Sequence, residues 1–193
     1  MDYTHPKRKT KVVFVQLGSP SEPTTKALRK YLRKFLGDPR VVDINPWLWK
    51  IILNCFVLPF RPRKSAKLYA RIWDGKSFPL ITNTRDFTNN VSEELKKIDP
   101  EGYVEVNHAF LLSPPYVNEV YDSWEEDLKK GIGATKLLVI PMFPQYSEST
   151  IASGIDALAK EISKRVKIPT FEVITNFHRT HAFIDNSVNQ VDA

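Results

Sequence analysis

The 193-residue sequence predicts an α/β fold, a doubly wound parallel sheet of four strands flanked by helices. Four short runs rich in β-branched residues recur along the chain, and they are nearly continuous in apolar residues rather than alternating, as in strands covered on both faces. Between them lie stretches whose apolar residues repeat at helical spacing. No internal repeat or low-complexity tract interrupts the alternation.

Residues 1–10 are polar and charged and read as a flexible N-terminal tail without the apolar centre of a secretory signal. Residues 11–193 then form one domain. Its strands are expected at 11–17, 103–108, 136–141 and 171–175. The first helix is expected over 24–36, where Leu28, Tyr31, Leu32, Phe35 and Leu36 share one face and Gly37 stands past the end. Further helices are expected at 63–73, 85–97, 116–130 and 150–165, with a last one beginning near Thr180. The run from Trp47 to Phe60 gathers Trp47, Trp49, Phe56 and Phe60 and is followed at once by Arg61, Arg63 and Lys64. It reads either as an amphipathic helix with a solvated basic turn, or as apolar surface beside fixed charge, which suits a flat apolar ligand carrying carboxylates.

The net charge of +6 is concentrated at 7–11, 29–34 and 61–71 and attracts acidic partners. No finger spacing, RNA-binding motif or basic zipper accompanies it, so no nucleic-acid partner is expected. The single cysteine, Cys55, lies in an apolar run, reads as a buried structural thiol, and leaves no disulfide or multi-cysteine metal site within the chain. A cytoplasmic protein is expected. The run 47–60 is broken by Lys50, Asn54 and Pro59 and is shorter than the ~20 apolar residues of a spanning helix, so it can touch a bilayer but not cross one.

Ligands of open α/β sheets sit beyond the carboxyl ends of the strands, which singles out the loops 18–23, 110–115 and 143–150. The first opens with Leu17-Gly18-Ser19-Pro20, which lacks the further glycines of a dinucleotide site and reads equally as a plain turn or a ligand loop. The third brings Tyr146, Ser147, Ser149 and Thr150 to the same side, with Ser149 or Thr150 placed to cap the next helix. His178 and His181 stand three apart, which on a helix would place both on one face, and read as surface or helix-entry histidines; His108 ends a strand and reads as a core histidine, with a place on the ligand side as its alternative. No metal site is expected.

Five ordered motifs stand out: Val15-Gln16-Leu17-Gly18-Ser19-Pro20, the stretch Tyr31 to Asp43 with its Gly37-Asp38-Pro39-Arg40, Leu58-Pro59-Phe60-Arg61-Pro62-Arg63-Lys64-Ser65, Tyr69-Ala70-Arg71-Ile72-Trp73, and Pro144-Gln145-Tyr146-Ser147-Glu148-Ser149-Thr150. Together, in order and spacing, they resemble the ferrochelatase family from about Lys11 onward. The resemblance implies one of the two similar chelatase-like domains of an enzyme, a lyase of heme biosynthesis, that inserts ferrous iron into protoporphyrin IX. It implies porphyrin contacts at Leu17, Arg61, Arg63, Tyr69, Ser77, Tyr146 and Ser149. Leu17 falls where one branch carries tyrosine, which places the chain nearer the protoporphyrin-using branch. The segment 47–60 matches an apolar lip that in some members rests on a membrane, so peripheral contact at the inner membrane is expected.

Ala109-Phe110 replaces an arginine and tyrosine of many members, and Glu148 stands where animal members have an iron–sulfur cysteine. No cluster and no permanently bound cofactor are expected, with Fe2+ a substrate only. The resemblance places the family's catalytic histidine and glutamate in a C-terminal domain, beyond Ala193. The expectation is a truncated chain lacking that domain, with no catalytic residue of its own and inactive alone. The alternative is a stand-alone porphyrin- or heme-binding module. A small chelatase with clustered histidines fits less well, because the histidines here are scattered.

Overall fold

In the computed structural model, which describes residues 9–191, four strands form one all-parallel sheet in the order β2-β1-β3-β4. They span Thr10–Gln16 (β1), Val104–Phe110 (β2), Lys136–Pro141 (β3) and Thr170–Val173 (β4). Expected strand positions are met to within one or two residues at each end. The expected tail at 1–10 lies outside the described residues except for Lys9 and Thr10. Ala193, beyond which the catalytic histidine and glutamate are expected, also lies outside them. The helices are Thr25–Leu36 (α1), Pro46–Ile52 (α2), Leu58–Tyr69 (α3), Pro79–Ile98 (α4), Val117–Lys129 (α5), Ser153–Ser163 (α6) and His181–Val191 (α7).

Only β1 is buried along its length, as its unbroken apolar sequence requires. One sheet face carries Val13, Val15, Ala109, Leu137 and Val139, which pack with Leu158 of α6 and with Val117 and Val120 of α5. On the other face Phe14 meets Phe87 of α4 edge-on, with ring centroids 5.1 Å apart. The sheet is therefore covered from both sides, and strand order reverses between β1 and β3. Beyond the ends of β1 and β2 the pairing continues into the loops, Leu111 N–H bonding to Gln16 C=O (3.1 Å) and Leu112 N–H to Leu17 C=O (3.0 Å). β4, at the sheet edge, is mostly exposed.

Lys11 departs from its reading as part of a basic surface. It is 1% exposed, and its ammonium lies 3.3 Å from Asp127 of α5 and 3.4 Å from Glu105 of β2. A lysine at this depth is tolerated because carboxylates meet it.

The segment 47–60 and the residues after it are helical almost without a break, so no basic turn follows Phe60. Pro59 has no N–H for the Cys55 carbonyl, and the ladder widens ahead of it into a π-helical turn, Leu53–Val57. Pro62 leaves the Leu58 carbonyl without its helical donor, and Arg29 Nε of α1 donates to it at 3.2 Å. The turn points Leu53 and Leu58 inward and Cys55 outward, so Cys55 is exposed rather than buried. The extra residue also sets a phase: Trp47, Ile51, Phe56 and Phe60, spaced four, five and four, are 77%, 58%, 65% and 71% exposed. The expected aromatic cluster is therefore not packed. Trp49 is anchored by its indole N–H, which donates to Leu36 C=O at 2.6 Å, and the Lys50 ammonium lies 5.8 Å from the centre of the Trp47 ring.

α4 begins six residues before its expected start, at Pro79, where a fixed φ and a missing N–H suit the first helical position. α6 is entered through a second π-helical turn, Glu148–Ala152. Ser149 and Thr150 lie within that turn, so neither is the cap expected of them.

Candidate functional site

The loops after β1, β2 and β3 meet at the sheet's carboxyl edge. Gly18 takes φ +93°, and a Cβ there would stand 2.4 Å from Ser113 Oγ, so the β1 loop lies flat against the β2 loop only because residue 18 has no side chain. Ser19 N–H donates to the same Ser113 Oγ (3.3 Å), and the Tyr31 hydroxyl donates to Gly18 C=O (3.4 Å).

Beside this junction a groove of about 290 Å³ has Leu17, Phe110 and Leu112 on one side, Phe35, Pro39 and Val41 on another, and Ser149 and Ser153 on a third. Arg40 reaches across to Asp156 of α6 with two hydrogen bonds, Nε to Oδ2 (2.5 Å) and Nη2 to Oδ1 (3.1 Å). This fork ties the segment between α1 and α2 to α6. The Arg40 guanidinium holds the Asp156 carboxyl below the usual carboxylate range.

A second cavity, of about 300 Å³, lies between α1 and the turn before α4 and shares Leu112 and Tyr116 with the first. Ser77 and Trp73 line it. Behind them Tyr69 stands 6.3 Å from Tyr31 and 5.4 Å from Phe78, centroid to centroid, and Trp73 meets Phe78 at 4.6 Å. Burial pushes the Tyr31 hydroxyl well above the usual phenol range, helped by the neighbouring Tyr69, so it stays a proton donor to Gly18.

Of the residues expected to bind, Leu17 and Ser149 share the first groove, while Ser77, with Tyr69 behind it, belongs to the second. Tyr146 stands 55% exposed on the β3 loop. Arg61 and Arg63 are exposed on α3 and line neither cavity. Ala109 and Phe110 are fully buried and offer the site no polar group.

His108 does not reach the groove: it lines a hollow at the β2 edge with Lys11 and Asn107, and burial, then Arg85, lowers its pKa. His178 lies outside α7 in a segment docked on the β3 loop, where its N–H donates to Pro144 C=O at 3.1 Å, so the two histidines do not share a helix face. Among the described residues no three histidine, cysteine, aspartate or glutamate side chains gather as metal ligands. No described helix is long and apolar enough to cross a membrane.

Two parts of this site escaped sequence reasoning. The aromatic group around Tyr31 joins α1 to the stretch Tyr69–Phe78, and the Arg40–Asp156 fork spans 116 positions. Only the Asp38-Pro39-Arg40 turn hinted at the second.

Residues 9–193 match the family model described as Ferrochelatase. The chain is 40% identical over 181 residues to a ferrochelatase of Idiomarina loihiensis, covering 94% of this chain and 48% of that protein. A ferrochelatase of Marinobacter nauticus is 36% identical over 94% of this chain and 48% of its own length. A coproporphyrin III ferrochelatase of Streptococcus mutans is 37% identical over 92% of this chain and 53% of its own length. The chain thus spans about half the length of the curated relatives it matches.

Proposed function

This chain belongs to the ferrochelatase family, and we propose that it is the porphyrin-binding N-terminal portion of an enzyme that inserts ferrous iron into protoporphyrin IX to make heme. The observation that carries the reading is the meeting of Leu17 and Ser149 in one groove at the point where strand order reverses. Leu17, Leu112 and Val41 offer apolar surface to a macrocycle face. Arg61 and Arg63, beside the exposed stripe of α2 and α3, suit carboxylates at its rim. Tyr69, Ser77 and Tyr146 complete the proposed contacts. Leu17 favours protoporphyrin over coproporphyrin, because an apolar side chain suits the less carboxylated macrocycle.

Insertion displaces two pyrrole protons and needs a base at the macrocycle. His108 lines a hollow at the β2 edge instead, so the reading leaves the insertion step to the family's C-terminal domain and treats iron as substrate rather than resident cofactor. We assign no iron–sulfur cluster to Glu148. The exposed stripe Trp47, Ile51, Phe56 and Phe60, followed by Arg63 and Lys64, supports peripheral contact with an anionic membrane surface.

The test is an anaerobic absorbance titration of the purified chain with protoporphyrin IX, followed by ferrous iron. A saturable shift of the porphyrin band without metalloporphyrin is expected. An unshifted band would overturn the binding role, and iron insertion above the protein-free rate would overturn the division of labour.

A further inference from the structure

We propose that the cavity between α1, the turn before α4 and the β2 loop binds a small, multiply charged oxyanion held by Lys30, Lys34 and Lys76. All three lysines line it, and no aspartate or glutamate does. Among the described residues neither Lys30 nor Lys76 makes an ion pair. The nearest acid in sequence, Asp74, is turned to its own loop, where its carboxylate accepts the N–H groups of Lys76 (2.7 Å) and Ser77 (2.6 Å). Lys34 is held rather than free: its ammonium lies 3.1 Å from the Tyr116 hydroxyl and 4.4 Å from the centre of that ring. Three like charges around one hollow repel one another, and a bound anion reverses that repulsion.

The hydroxyls of Ser19, Ser21 and Ser77 on the same wall supply neutral donors. The cavity's 300 Å³ sits at the lower end of the roughly 300–1,000 Å³ typical of ligand pockets, room enough for a compact anion. The chemistry is that of a phosphoryl or polycarboxylate ligand. The site goes beyond the porphyrin reading and shares Ser77 and Leu112 with its proposed contacts.

Calorimetric titration of the purified chain with pyrophosphate and, separately, with citrate tests the assignment. Saturable binding of either probe is expected, weakening as salt rises. Lys30→Gln and Lys76→Gln should each lower affinity about tenfold, the loss of one charge-assisted contact. Both lysines are exposed, so the fold survives their replacement. The double variant Lys96→Gln/Lys97→Gln at the end of α4 removes charge elsewhere and should bind as the parent does. Preference for pyrophosphate assigns a phosphoryl ligand, and preference for citrate a polycarboxylate. Absence of saturable heat with both probes would overturn the proposal, as would equal weakening in the α4 control. Porphyrin binding, read separately by absorbance, is unaffected by either failure.

Discussion

Single residues decide how closely the ligand-side loops approach. Gly18→Ala meets both a left-handed backbone and a contact of 2.4 Å with Ser113 Oγ, so it should cost about 2 kcal/mol or more, read as a lower urea midpoint. Ser113→Gly in the same chain should recover only the contact part. His108 sets a pH dependence of stability. Burial and Arg85 lower its pKa in the fold, so below about pH 6.5, the ordinary imidazole value, the unfolded chain takes up the proton more readily. Stability should therefore fall as pH drops from about 7 toward 5, with no contribution above it, and His108→Gln should flatten that slope in denaturant titrations. The glycine was legible as a loop residue. Its partner, Ser113, lies in a loop almost a hundred positions away, and nothing local in the sequence joins them.

Elements were legible where one physical signal dominated. The strands announced themselves by continuous β-branched residues, and α1 by its apolar face and its terminal glycine, while its Thr24 cap emerged only in the structure. The prolines of α3 were misleading, because Pro62 removes a helical hydrogen bond for which the fold supplies a substitute. Arg29 donates to the Leu58 carbonyl that Pro62 leaves open. Arg29→Met should then cost about 1–2 kcal/mol of stability, and the cost should nearly vanish beside Pro62→Ala, which restores the helical donor. A double-mutant cycle by chemical denaturation checks this. The π-helical turn gives the exposed stripe its register. In flotation with phosphatidylglycerol vesicles, Phe56→Glu/Phe60→Glu should reduce the bound fraction severalfold while leaving the far-ultraviolet spectrum unchanged, since both side chains are mostly exposed.

At the scale of the molecule, the parallel sheet collects at one edge the loops that the sequence carries far apart. The family motifs made most of the site's residues legible, but not their grouping into two adjoining cavities with Arg61 and Arg63 outside both. That grouping depends on how α1 packs on α3, which no local pattern records. The central claim is that porphyrin lies against the loops where strand order reverses. Ring-current shifts of assigned methyl resonances during titration with protoporphyrin IX test it most directly. Saturable shifts centred on Leu17, Val41 and Leu112 are predicted. Unmoved methyls there, with shifts confined to the exposed β4 edge and α7, would contradict it.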